Sequence, residues 1–195
     1  ANSIAVTTYP ATEGDVQLPS PAYTEFTFEG YAGGGEFLGF APMPRITIYT
    51  IEDFGPYPEF INRLDELSRL LAERPDLNQY VMAAVGSPDA LTLPFLPIIP
   101  AAQVFRAQAE YIEVANIRGI RYLVYYSQAM NPIAEGEVFY TFQGITDDGQ
   151  HYVSVILPVN TGVLPDEFPV IDDPDAYAEQ YRQYLLEVMG SLTTA

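Results

Sequence analysis

Between residues 103 and 158, apolar and polar residues alternate in four consecutive runs, and this pattern constrains the fold more than any other feature. Alternation with period two puts successive side chains on opposite faces of a strand. In the first run the small and aromatic residues from Phe105 to Tyr111 face one way, and Arg106, Gln108 and Glu110 face the other. The pattern slips at Tyr111-Ile112, which predicts a bulge there. A turn over 116–119 leads into 120–126, and a loop through Asn131-Pro132 leads into 138–145. Thr146-Asp147-Asp148-Gly149 is a hairpin signal, because glycine accepts the positive φ that such a turn requires. Residues 152–157 then return, and Pro158 ends the run because it has no N–H for a ladder. Short connections between neighbouring runs predict an antiparallel four-strand meander.

Upstream, 23–30 alternates with Phe26 and Phe28 on one side and Glu25, Thr27 and Glu29 on the other, which predicts one solvated face. Residues 45–52 are partly apolar on both sides and suit a sheet interior. The glycine cluster over 30–35 lacks the Lys-Ser/Thr of a phosphate loop and reads as a turn. A helix is expected over 58–74. Pro58 fits its first position, Glu59 complements the positive dipole end, and Phe60, Ile61, Leu64, Leu67 and Leu71 make one apolar stripe. Residues 76–86 fit a short helix or a strand. A last helix starts at Asp173 (N-cap) and Pro174, buries Tyr177, Tyr181, Tyr184, Leu185 and Val188, and takes Gly190 as its C-terminal cap. The expected class is α+β: an antiparallel sheet, two amphipathic helices packed on it, and a strand-like N-terminal extension. The 195 residues suit one domain over 22–195, preceded by an extension over 1–21.

Two uncharged segments stand apart. Residues 3–9 read as a strand closed by Pro10, which either joins its own sheet or is donated to a neighbouring subunit. In 91–100, prolines at 94, 97 and 100 forbid a helix or a central strand and suit an extended path. Such a segment covers the core or shows its side chains to a partner. The candidate interaction residues are therefore Ile4, Val6 and Tyr9 in the first segment, and Leu93, Phe95, Leu96 and Ile98 in the second.

Composition excludes more chemistry than it suggests. The chain has no Cys, no Trp and no Lys, and its 26 acidic residues face eight Arg, for a net charge of −18. That balance argues against nucleic acid and anionic lipid as partners. It also removes thiol, Schiff-base and P-loop lysine mechanisms. No window is long and apolar enough to span a membrane. His151 is the single histidine; it is expected to be exposed, and as a base it has only Ser154 nearby. One His without Cys argues against a zinc site. Asp147-Asp148, Asp166-Glu167 and the group Asp172, Asp173 and Asp175 offer oxygen ligands for calcium, but turn and cap chemistry explains both regions. No catalytic residue, metal ligand or cofactor site is assigned.

The stretches Gly119-Ile120-Arg121-Tyr122-Leu123, 139–146 and 148–154 resemble an uncharacterised secreted-protein family of Chloroflexi-type bacteria. The strands followed by a helix ending in Gly190-Ser191-Leu192 are more loosely similar to the PsbP-like α/β/α sandwich, whose members are accessory and binding proteins. The first resemblance implies no known activity and the second implies a non-enzyme. The chain begins with Ala1, and a secreted or cell-surface protein with its signal segment removed is expected. The leading functional expectation is a non-enzymatic protein that associates with a protein partner or with further copies of itself, as a surface or filament subunit using its N-terminal strand. Alternatives are a monomeric ligand-binding or accessory domain of PsbP-like architecture, and a hydrolase using paired carboxylates.

Overall fold

The structure, a computed structural model, describes residues 3–14, 18–31, 43–80 and 91–194. Among the described residues, seven strands form one antiparallel sheet: β1 (Ser3–Tyr9), β2 (Tyr23–Glu29), β3 (Arg45–Thr50), β4 (Ala102–Val114), β5 (Ile117–Ser127), β6 (Phe139–Thr146) and β7 (His151–Pro158). Their order across the sheet is β1-β2-β3-β7-β6-β5-β4, so β1 and β4 are its edges. Helix α1 (Pro58–Glu73) follows β3, and α2 (Pro174–Thr194) ends the described chain. The class is α+β, with a sheet wider than its C-terminal four strands.

Strand alternation sorts the apolar residues into two clusters. Along β5, Ile120, Tyr122 and Val124 join Phe60, Leu67 and Leu70 of α1. Tyr125, with the half-buried Leu123, joins Tyr181, Leu185 and Val188 of α2. Neighbours on a strand point oppositely, so α1 and α2 lie on opposite faces. Asp173 caps α2 as its position predicts: its Oδ1 accepts from the amides of Asp175 and Ala176, each at 3.1 Å.

The proline-rich strap over 91–100 lies on the α1 side, where Leu93, Phe95 and Leu96 belong to the core. Its prolines cannot pair with a strand, so side chains from the sheet serve its backbone instead. The Gln103 amide accepts from Leu93 N (2.9 Å) and donates to Leu93 O (3.1 Å). The Gln143 amide does the same for Leu96, at 3.0 and 3.3 Å. The Tyr122 hydroxyl donates to Pro94 O at 2.8 Å. Leaving these buried carbonyls and amides bare would cost about 1–3 kcal/mol each.

One close approach needs glycine. Gly119 on β5 sits opposite Gly144 on β6, and the Phe142 ring lies over both. A Cβ at Gly144 would meet the ring at 2.6 Å, and one at Gly119 would collide with both the ring and the Gln143 carbonyl.

Several expectations change. The irregularity in β4 lies not at Tyr111-Ile112 but between Gln103 and Phe105 and between Ala107 and Glu110, where Gln108 takes φ +53. There the Gln108 amide reaches Leu192 O at 2.7 Å, which favours the bulge at that point. Gly190 does not end α2; the helix continues to Thr194 because Leu192 packs into the core. Arg106, expected on a solvated face, is fully buried. Its guanidinium donates to Gln103 O and Leu91 O, both at 2.8 Å, and to Tyr80 O. Burial pulls its pKa down to about 10. Of 76–86, Leu77–Tyr80 is a 3-10 turn; residues 81–86, and glycines 33–35 of the expected turn, lie outside the described residues.

Candidate functional site

The two segments expected to meet a partner part company. Leu93, Phe95 and Leu96 are 1, 3 and 0 % exposed, so no partner can reach them. Ile98 is half-buried in the wall of a cleft. Ile4 and Val6 are each 59 % exposed and Tyr9 is 37 % exposed, all on β1. Every residue of β1 is exposed, on both faces of the sheet. Its inner side pairs with β2 over seven residue pairs, from Ser3 opposite Glu29 to Tyr9 opposite Tyr23.

The two sheet edges differ. Edge strand β4 carries two register shifts, the inward-pointing Arg106, and the charges Glu110 and Glu113. Bulges and charges of this kind discourage another strand from pairing. Edge strand β1 has no bulge in its register, no proline and no charge within Ser3–Tyr9. Its outward backbone groups form a regular row.

At the C-terminal end of β1 a cleft of about 330 Å³ opens on the α1 side. Register builds one wall. Tyr9, Tyr23 and Tyr49 are direct cross-strand neighbours, with ring centroids 4.8 and 5.5 Å apart. The rim is a curl of chain in which Thr12 and Ser20 exchange backbone hydrogen bonds of 2.8 and 3.2 Å. Phe60 and the strap's Pro97 and Ile98 complete it. Glu25 and Arg45 supply the charge: Arg45 Nε lies 3.6 Å from Glu25 Oε2, with side-chain exposures of 24 and 12 % for Arg45 and Glu25. That spacing is an ion pair without a hydrogen bond, and Arg45 Nε has no hydrogen-bond partner among the described residues. Burial raises the Tyr23 hydroxyl pKa, assisted by Glu25 and Tyr9 and opposed by Arg45, so the phenol stays neutral.

The cleft was not visible in the sequence. Alternation in β2 suggested Phe26 and Phe28 inward and Glu25 outward. Instead Glu25 shares the α1 face with Thr47 and Tyr49, while Phe26 pairs with Ile46 on the other. Both faces of β2 are half-buried, so alternation alone could not say which faced α1. Glu25 and Arg45 meet only through strand register.

The remaining candidates do not come together. His151 is half-buried, and Ser154, three residues along the strand, is on the opposite face. The buried Ser154 hydroxyl donates to Leu96 O and accepts from the Gln143 amide at 3.0 Å. Asp166, Glu167, Asp172, Asp173 and Asp175 are exposed. Asp147 pairs with Arg118 at 3.1 Å, and Asp148 accepts from the Thr146 hydroxyl at 2.6 Å. Among the described residues, no three His, Asp or Glu side chains form a group able to hold a metal, and no helix is long and apolar enough to cross a membrane.

No protein-family model, curated protein or solved structure matches the chain.

Proposed function

We propose that this chain is a non-enzymatic association protein whose β1 edge takes up a strand from a second copy. The observation that carries the reading is the contrast between edges: β4 is bulged and charged, whereas β1 is regular, uncharged and exposed along its whole length. Natural sheets blunt free edges, and a regular edge left open is a template for pairing. Antiparallel pairing of β1 with its own copy is isologous and closes on itself, so the expected product is a dimer. A filament would need β1 to meet the bulged β4 edge, which is the poorer partner. Copies with a net charge of −18 repel, so they must meet where no charge lies, and β1 satisfies that. Screening by salt should strengthen the contact.

Sedimentation equilibrium tests this. The chain, 21.6 kDa alone, should reach twice that mass, with more dimer at higher salt. Val6→Glu places a new acid at the contact while touching a side chain already 59 % exposed, and it should yield a folded monomer. A full-length chain that stays monomeric at about 100 µM in high salt, where even weak pairing would register, overturns the reading.

A further inference from the structure

The cleft beside β1 lies on the α1 side of the sheet. Among the described residues its charged lining consists of one acid and one base, Glu25 and Arg45, loosely engaged at 3.6 Å. A partly buried pair of this kind is stable only when further hydrogen bonds satisfy its remaining lone pairs and protons. Arg45 Nε has none among the described residues. A simple anion would gain from Arg45 and be repelled by Glu25, and a simple cation would meet the reverse. A ligand carrying both charges on neighbouring carbons avoids the conflict. It replaces one loose contact by two charge-assisted ones, and guanidinium is suited to a bidentate carboxylate. Much of the remaining wall is apolar or aromatic, from Tyr9, Leu18, Phe60, Pro97 and Ile98, with Thr12, Ser20 and Thr47 as its polar members. A volume of about 330 Å³ is at the small end for ligand sites and suits a single compact molecule.

We propose that this cleft binds a free zwitterionic α-amino acid with an apolar or aromatic side chain, its ammonium on Glu25 and its carboxylate on Arg45. The side chain then lies among Tyr9, Phe60 and Ile98. The proposal goes beyond association, since a monomer carries the whole cleft.

Titration calorimetry on the unmodified full chain tests it with L-phenylalanine, L-leucine, N-acetyl-phenylalanine and phenylalanine amide. The free amino acid should bind, and each capped form should bind roughly ten- to a hundredfold more weakly, as expected for loss of a charged hydrogen bond. In Glu25→Gln, L-phenylalanine and its N-acetyl form should bind alike, because the ammonium has lost its partner, while the amide remains weaker. Circular dichroism checks that this variant folds; the capped-ligand series needs no variant. Equal binding of free and capped forms overturns the proposal. So does the absence of heat with both free amino acids at about 10 mM, a concentration that would reveal millimolar binding.

Discussion

Gly144→Ala, measured with and without the ring of Phe142, asks whether that ring keeps the glycine pair bare. A Cβ at Gly144 meets Phe142 Cζ at 2.6 Å, Phe142 Cε1 at 2.7 Å and Ile117 Cγ2 at 2.8 Å, all of them side-chain atoms. Overpacking of this kind costs about 1–3 kcal/mol. Removing glycine from a strand returns about 0.5–1 kcal/mol of backbone entropy. The net cost is about 1–2 kcal/mol, or roughly 2–8 °C in Tm for a chain of this size. In the Phe142→Ala background two of the three close contacts vanish and only Ile117 Cγ2 remains, so Gly144→Ala should cost clearly less than with the ring present. The coupling is then about 1–2 kcal/mol. Gly119→Ala is the control. Its Cβ also meets the Gln143 carbonyl, which Phe142→Ala leaves in place, so its cost should persist in both backgrounds. Urea unfolding followed by far-UV circular dichroism, with equal m-values across the set, gives the differences. If Gly144→Ala costs as much without the Phe142 ring as with it, the steric argument fails.

Two further outcomes follow from buried polar groups. Tyr181 is 2 % exposed and its hydroxyl has no hydrogen-bond partner among the described residues, so Tyr181→Phe should hold or raise stability by up to about 1 kcal/mol in the same assay. Glu135 is the opposite case: burial alone would raise its pKa, but donors from Thr161, Leu164 and Gly162 outweigh it and hold the carboxyl below its ordinary value. A depressed carboxylate pKa adds stability above the unfolded value, near 4.3, and that stability is lost as pH falls through the folded one. Glu135→Gln should therefore cost about 1 kcal/mol at neutral pH. The gap to the parent should close in acid melts; a gap that stays constant down the pH scale would refute the assignment.

Periodicity made the strands and α1 readable, because a buried face imposes its own repeat on the sequence. The Asp173 cap was readable for a similar reason: the chemistry is local, within three residues. What escaped was relational. Alternation in β2 says that its two faces differ, and only the neighbouring Tyr49 and Thr47 decide that Glu25 turns toward α1. Arg106 resembles a surface residue until the carbonyls of Tyr80 and Leu91, with that of Gln103 on its own strand, converge on it. The strap's apolar residues favoured burial on the core and left display to a partner open. The decision rested on Gln103 and Gln143, neither of which carries a local signal for the role. Gly190 misled because glycine permits a helix end without requiring one, and the burial of Leu192 carries the helix past it.

The glutamine pairs that hold the strap also affect how the protein opens. Leu93 and Leu96 belong to no strand or helix, yet their amide protons sit on acceptors carried by β4 and β6. Irregular segments ordinarily release such protons in small local fluctuations. Here release requires a side chain rooted in the sheet to let go. These two amides should therefore exchange with solvent at the slow pace of the strands, so that a stretch without regular structure reports the opening of the whole molecule.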